Sequence, residues 1–197
     1  IDTRALQLHP EPFSLNLLIQ GISRQLSDTL VQRDLLLTLE GLEALPMIQA
    51  DIDALRKVFY HLIVNAIKYT PNGGTITVTG SSLPHDDKRL PSGGVEIAIR
   101  DTGIGIDPNV QQLIFAKFYQ TGEVALHSTG STKFKGGGPG LGLAVAQGIV
   151  EAHGGKIWVE SPGYDEVKCP GSTFFVLLPL NTRSLFAEAT LVDDAIL

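Results

Sequence analysis

The segment between Asp51 and Pro71 constrains the fold of this chain more than any other part of the sequence. Its apolar residues stand at positions 55, 58, 59, 62, 63, 66 and 67, which is the spacing of one face of an α-helix. Asp51 is a suitable N-cap, Asp53 complements the helix dipole, and the Pro-Asn-Gly-Gly run that starts at Pro71 ends the helix. A helix with so wide an apolar face must be buried against another layer of structure.

Strand-like and helical segments alternate through the rest of the chain. Further helices are predicted for residues 13–31, 109–116 and 140–153, and strands for residues 6–8, 35–40, 75–81, 95–101, 156–160 and 172–180. This order predicts an α+β fold, a two-layer α/β sandwich in which a mixed sheet carries its helices on one face. Residues 121–139 lack periodicity and fit either a functional lid or a disordered segment. We therefore expect one domain over residues 1–180 and a tail or linker over residues 181–197.

Composition narrows the class of protein. The chain has 197 residues, of which 43% are hydrophobic, so one domain can enclose a core. A net charge of −6 argues against nucleic-acid binding, which requires a basic patch. The single cysteine, Cys169, suits a reducing cytosol, and no apolar run reaches the roughly 18–20 residues of a membrane span. The start at Ile1 without Met predicts a cytoplasmic piece of a longer protein, whose membrane anchoring is left open.

The polar side of the 51–71 helix carries the first candidate site residues. His61, Asn65, Lys68 and Tyr69 recur at three- and four-residue spacing and share one face. Ordinary solvent-facing residues would also fit there. Asn65 favours a functional role, because asparagine is a mediocre helix former whereas its amide oxygen is a suitable ligand for Mg²⁺. Lys68 can act as a point charge for phosphate.

A second candidate site is the run from Asp101 to Ile106, Asp-Thr-Gly-Ile-Gly-Ile, which directly follows a predicted strand. A carboxylate at a strand end can accept a hydrogen bond from an exocyclic amine. Gly103 and Gly105 remove side chains that would block the approach of a flat ring. The same pattern also fits a plain glycine-rich turn.

A third candidate site is the glycine-rich run over residues 136–143, which opens a predicted helix. Unpaired N–H groups at such a helix start form a cradle for phosphate. A dinucleotide-binding fingerprint is excluded, because the position of its third glycine holds Leu141, Leu143 or Val145 in every register, and no apolar strand precedes the run. No P-loop motif occurs in the chain.

Together these segments resemble the catalytic domain of histidine kinases, within the wider GHKL group of ATP-binding proteins. The stretch His-Leu-Ile-Val-Asn65-Ala-Ile-Lys68-Tyr69-Thr-Pro is similar to the N box, and the run from Asp101 is similar to the G1 box. Further matches are the F box at residues 115–119, the G2 box at residues 138–143 and a final-strand motif at residues 171–175. The boxes occur in family order over roughly residues 5–180.

The resemblance implies the Bergerat fold, with Mg²⁺ and ATP held between the sheet and a mobile lid. Asn65 would coordinate Mg²⁺, Lys68 would approach the phosphates and Tyr69 would line the pocket. Asp101 would accept from the adenine amino group, with Gly103, Gly105 and Ile106 around the ring. Phosphates would lie against Gly138, Gly140, Leu141 and Gly142, with Phe118 in the lid hinge and Thr173 near adenine.

Position 61 departs from the family pattern. Many histidine kinases have a second asparagine there, and the hydrolytic ATPases of the group have a glutamate base; this chain has His61. Mg²⁺ ligation, phosphate contact and simple packing all remain open for it. The missing glutamate argues against a self-contained ATP hydrolase.

The resemblance also implies partners. The phosphorylated histidine and its base would lie on a separate dimerisation domain, so the chain itself holds no catalytic residue and is not expected to autophosphorylate alone. A response-regulator receiver domain would act downstream, and the full-length protein would be a homodimer that binds no nucleic acid. A serine kinase of the anti-sigma type and a non-catalytic docking domain are the alternatives.

Overall fold

The structure is a computed structural model that describes residues 7–116 and 141–182. In chain order its elements are β1 (Glu11–Phe13), α1 (Leu15–Gln25), α2 (Ser27–Gln32), β2 (Leu36–Glu40), β3 (Ile48–Ala50), α3 (Ile52–Tyr69), β4 (Thr75–Leu83), β5 (Gly94–Asp101), α4 (Gly142–Ala152), β6 (Lys156–Glu160) and β7 (Ser172–Pro179). No helix within these residues is both long and apolar enough to cross a bilayer.

Five strands form the main sheet in the order β2-β4-β5-β7-β6, with only the β2–β4 pair parallel. Side chains alternate along each strand, so one face of the sheet is apolar and buried while the other carries polar residues such as Arg100 and Glu160. Helices α3 and α4 pack on the apolar face, and α1 packs on α3. The predicted two-layer α+β sandwich with a mixed sheet is confirmed.

Helix α3 is the centre of the core, as its sequence predicts. Leu55, Val58 and Phe59 of its apolar face are completely buried. Asp51 is the N-cap, with its Oδ1 accepting a hydrogen bond from the Ala54 N–H at 2.9 Å. The apolar spacing and the capping residue therefore fix both the extent and the buried face of this helix.

The first strand was placed wrongly by the sequence pattern. Within residues 7–10 the chain is not a strand; β1 begins at Glu11 and pairs antiparallel with β3, which sequence reasoning missed. Pro12 lies within β1 and is tolerated because β1 is an edge strand. Three-residue strands of this kind form through tertiary pairing, since they are too short to show alternation.

Two predicted helices also differ from the structure. The segment 13–31 is divided at Leu26 into α1 and α2, and Ser14 outside the helix caps α1 by accepting from the Leu17 N–H. The segment 109–116 forms two 3₁₀ turns, at Pro108–Val110 and Leu113–Phe115, instead of an α-helix. Isolated helices of eight residues are marginal, so packing decides the conformation.

Residues 181 and 182 continue the domain beyond β7. Asn181 forms a bridge with Gln49 of β3, and the Thr182 N–H donates to the Gln49 carbonyl at 2.9 Å. Thr182 is buried. The rest of the predicted tail, residues 183–197, lies outside the described residues.

Candidate nucleotide-binding site

His61, on the polar face of α3, lies against the start of α4. His61, Asn65 and Tyr69 are partly buried, and a Cβ added at Gly142, the first residue of α4, would lie 3.3 Å from Nδ1 of His61. At the opposite end, His153 after α4 contacts Asp51 before α3. The helices therefore run antiparallel, and the C-terminal half of α3 shares one end of the domain with the start of α4. Burial also lowers the pKa of His61 below its usual value, which favours a neutral imidazole.

Lys68 is the charged residue of this region. Its side chain is only 9% exposed, and its Nζ lies 5.4 Å from the centroid of the Tyr69 ring. Burial lowers the pKa of Lys68, because removal from water penalises the ammonium. Among the described residues no carboxylate forms an ion pair with Lys68. A buried ammonium without a counter-charge is costly, so the site favours an anion.

Asp101, at the end of β5, is a buried carboxylate that is held by backbone and side-chain donors. It is 3% exposed. Its Oδ1 accepts from the N–H of Gly103 at 2.8 Å and from that of Ser172 at 3.3 Å, while Oδ2 accepts from the Ser172 hydroxyl at 2.5 Å. Burial raises the pKa of Asp101, and these hydrogen bonds oppose the increase. The carboxylate is therefore fixed in direction and retains acceptor capacity on Oδ2.

The two glycines after Asp101 are required by contacts within the protein. A Cβ at Gly103 would lie 2.4 Å from the Tyr69 carbonyl oxygen, and one at Gly105 would lie 2.0 Å from the Gly163 carbonyl oxygen. Gly105 also has a left-handed backbone, with φ of +73°. The sequence pattern predicts that these glycines admit a flat ring. In the structure, a carbonyl oxygen of another backbone segment lies so close to each glycine that no side chain would fit there.

The connection between β6 and β7 holds the Asp101–Ile106 loop in place, which sequence reasoning missed. The Ile106 N–H donates to Ser161 Oγ at 2.9 Å, and the Gly171 N–H donates to the Gly103 carbonyl at 2.9 Å. Gly105 forms an antiparallel bridge with Tyr164. The Ser-Pro-Gly run after β6 is the signal in the sequence, but only the fold brings it to this loop.

On β7 it is Ser172, which sequence reasoning missed, that bonds to Asp101; Thr173 borders the same cleft, and its place near adenine stays a prediction. Ser172 is in register with Asp101 and bonds to it, whereas Thr173 is in register with Arg100. Side chains alternate along a strand, so Thr173 points to the other face of the sheet from Asp101. Adjacent hydroxyl residues are hard to assign from sequence, because a shift of one position exchanges the two faces.

The start of α4 bears the remaining described candidates. Leu141 precedes the helix without a side-chain cap, and the Val145 N–H makes the first hydrogen bond of the helix, to the Leu141 carbonyl at 2.9 Å. The N–H groups of Gly142 and the next two residues therefore remain available as donors within the described part of the chain. Phe118, Gly138 and Gly140 lie outside the described residues, as does the predicted lid.

Clefts lie near both ends of α3 in the described part of the chain. One of about 350 Å³ is bordered by Asp101 and Ser172 at the ends of their strands. A larger one of about 570 Å³ lies at the other end of α3, beside His9, Asp51 and Lys57, away from the candidate residues. Cleft size alone therefore does not identify the site.

Comparison with known proteins agrees with this geometry. Residues 50–182 match the family described as "Histidine kinase-, DNA gyrase B-, and HSP90-like ATPase". The chain is 36% identical over 173 residues to the adaptive-response sensory kinase SasA of Microcystis aeruginosa, covering 88% of this chain and 40% of SasA. It is 36% identical over 167 residues to the sensor histidine kinase ZraS of Escherichia coli, covering 85% of this chain and 30% of ZraS. The chain thus spans less than half of these relatives.

Solved structures share the fold. The catalytic domain of histidine kinase ThkA aligns with a TM-score of 0.69 and 22% identity, over 88% of this chain and 97% of that domain. Full-length ShkA in complex with AMPPNP aligns with a TM-score of 0.71 and 24% identity, over 91% of this chain and 33% of ShkA. At such identities the likeness concerns the fold alone. Family match, relatives and fold together show that this chain belongs to the histidine kinase-, DNA gyrase B- and HSP90-like ATPases, as an ATP-binding catalytic domain of the sensor histidine kinase type.

Proposed function

We propose that the chain binds Mg·ATP between the C-terminal half of α3, the Asp101–Ile106 loop and the start of α4. The γ-phosphate is then donated to a histidine on a separate dimerisation domain. The observations that carry the proposal are a buried, oriented carboxylate, Asp101, and a buried ammonium, Lys68, for which no described carboxylate provides a counter-charge. Adenine supplies an amine donor and the phosphates supply anions, so one ligand satisfies both groups.

The adenine end of the site rests on Asp101. The Ser172 hydroxyl is the one donor to Oδ2 among residues 7–116 and 141–182, and a carboxylate oxygen can accept a second hydrogen bond. The exocyclic amine of adenine is such a donor. Ser172 and Gly103 fix the orientation of the carboxylate, so it accepts from the amine in one direction only. Little side-chain entropy of Asp101 is then lost when adenine binds.

The phosphate end rests on Lys68, Asn65 and the first turn of α4. Lys68 supplies positive charge, and the N–H groups of α4 supply donors at the positive end of a helix dipole. The Asn65 amide oxygen is a hard ligand suited to Mg²⁺, which keeps waters and phosphate oxygens as its other ligands. When bound, Mg²⁺ offsets the charge of the phosphates. Gly138 and Gly140 extend the cradle in this proposal, with Phe118 in the lid hinge.

Phosphoryl transfer would then need positioning more than covalent chemistry from this domain. The nucleophilic histidine and its base belong to the dimerisation domain, so the described residues bind, orient and neutralise the nucleotide. The structure of histidine kinase ThkA in complex with the response regulator protein TrrA aligns over 88% of this chain. That complex supports a response-regulator receiver domain as the downstream partner in this proposal. A cytoplasmic location and a homodimeric parent protein complete the proposal.

Calorimetric titration with Mg·ATP and Mg·ADP tests the nucleotide assignment. We expect both to bind, with Asn65→Ala weakening only the Mg²⁺-dependent part of the affinity. Asn109→Ala is a matched control, because Asn109 lies on the exposed turn after the Asp101–Ile106 loop. Absence of binding by the unchanged chain, with intact folding by circular dichroism, contradicts the proposal and favours a docking domain.

Transfer is tested separately with γ-labelled ATP and an added dimerisation domain. The expected product is an acid-labile, base-stable phosphohistidine on that domain. An acid-stable phosphate on serine would favour the anti-sigma type of kinase instead.

A further inference from the structure

His61 and Gly142 face each other across the interface between α3 and α4. An alanine Cβ at position 142 would lie 3.3 Å from Nδ1 and 3.4 Å from Cγ of His61. Non-bonded heavy atoms prefer about 3.5–4.0 Å. The imidazole ring therefore occupies the space that a side chain at position 142 would need. The ring also makes an edge-to-face contact with Tyr60, with centroids 6.2 Å apart.

Glycine at position 142 is not explained by backbone conformation. Gly142 opens α4, and its φ lies outside the left-handed region that favours glycine. Glycine is one of the least favourable residues in a helix, and alanine is the most favourable. Among the described residues, the side chain that an alanine Cβ at position 142 would crowd is His61, which would have to shift by a few tenths of an ångström.

The position of this contact links it to the nucleotide site. His61 lies one helical turn before Asn65 on the same face of α3, and Gly142 carries one of the available N–H donors at the start of α4. The separation of His61 from Gly142 therefore sets how far those donors lie from Asn65. A displacement of a few tenths of an ångström at this point changes the width of the phosphate end.

We propose that His61 is a positioning residue of the nucleotide site, which acts through Gly142 by holding the first turn of α4 at contact distance from α3. The inference rests on the proposed nucleotide function and adds a determinant of phosphate affinity to it. In this role His61 acts by the steric contact of its imidazole ring with Gly142 and not as a ligand of Mg²⁺. It also predicts that positions 61 and 142 depend on each other energetically.

A double-mutant cycle of His61→Ala and Gly142→Ala tests the proposal, with the affinity for Mg·ATP and the melting temperature as readouts. Gly142→Ala alone should weaken Mg·ATP binding about five- to tenfold and lower the melting temperature, as overpacking does. In the His61→Ala background the space is free. There the added Gly142→Ala should cause less than a twofold further loss of affinity and should raise the melting temperature, because alanine is the better helix former.

Gly21→Ala is the matched control for helix propensity. Gly21 lies within α1, and among the described residues a Cβ there would meet only Arg56 Nη1, at 4.0 Å. This substitution should raise the melting temperature equally in both backgrounds and leave nucleotide affinity unchanged.

Three results separate the possible failures. If the unchanged chain does not bind Mg·ATP, the proposed function fails and the positioning role fails with it. The melting temperatures of the double-mutant cycle then show only whether His61 and Gly142 are in contact. If it binds but Gly142→Ala has equal effects in both backgrounds, the positioning role is overturned. If His61→Ala removes the Mg²⁺-dependent gain in ATP affinity as Asn65→Ala does, His61 is a metal ligand and the proposal is likewise overturned.

Discussion

Nε2 of His153 accepts a hydrogen bond from the backbone N–H of Asp51 at 3.1 Å, which joins the end of α4 to the start of α3. Nδ1 of the same ring contacts the Ile149 carbonyl oxygen at 2.7 Å, and the side chain is 1% exposed. An acceptor at Nε2 and a carbonyl at Nδ1 require the neutral tautomer with its proton on Nδ1. His153 is thus a buried neutral ring, and burial lowers its pKa below the usual value.

The first prediction is a loss of stability in mild acid. Because the folded-state pKa of His153 lies below the ordinary value of about 6.5, the unfolded chain binds the proton first, and stability falls as the pH drops below about 6.5. Protonation also breaks the bond to Asp51, at a cost of about 1–3 kcal/mol. Thermal melts from pH 8 to pH 5 measure this. His153→Gln, which can still donate and accept, should show a shallower slope, and an unchanged slope would contradict the assignment.

The second prediction concerns Asp101→Asn. We expect the affinity for Mg·ATP to fall about 10- to 100-fold, because a hydrogen bond to a charged acceptor is lost and the new amide presents N–H groups to the adenine amine. Apo stability at pH 7 should hold or rise. The folded-state pKa of Asp101 is raised, so the ionised carboxylate costs stability above that pKa, and asparagine carries no charge. Calorimetry and thermal melts check both parts; equal losses of affinity and stability would point to misfolding instead.

The third prediction concerns Ser172, which orients Asp101. Ser172→Ala removes a hydrogen bond that lowers the pKa of Asp101, so that pKa should rise further. Nucleotide affinity should then decline at a higher pH on acidification than in the unchanged chain. Ser172→Thr retains the hydroxyl and should restore the original profile. Titrations between pH 5 and pH 8 make the comparison, and identical profiles for the alanine variant would exclude this role.

The fourth prediction concerns Lys68→Met, which keeps the length of the side chain and removes its charge. The affinity for Mg·ATP should fall by about tenfold or more, whereas adenosine should bind as before, because only phosphates use the charge. Apo stability should be unchanged or higher, since burial penalises the ammonium and lowers its pKa. Equal losses for ATP and adenosine would show that Lys68 supports the pocket sterically.

Much of the fold could be predicted from local patterns. The apolar periodicity and the Asp51 cap gave α3 correctly, and β2, β5 and β6 were found within a residue of their bounds because alternation or a compact apolar run is visible over five or more residues. β1 and β3 were misplaced or missed, and residues 109–116 took 3₁₀ turns. Those segments are too short to carry a period, so long-range pairing decided their structure.

For the candidate site, the sequence by itself determined which chemical groups exist and in what order: Asn65 and Lys68 on one helix face, Asp101 at a strand end, and glycines before α4. Only the tertiary structure decided which groups meet. It brought Ser172 rather than Thr173 to Asp101, placed His61 against Gly142, and turned the glycines after Asp101 towards neighbouring backbone. These contacts join residues that lie 34 to 81 positions apart in the chain, or depend on the register of a single strand pair. Local propensity cannot specify them, because they arise from the packing of the two layers as a whole.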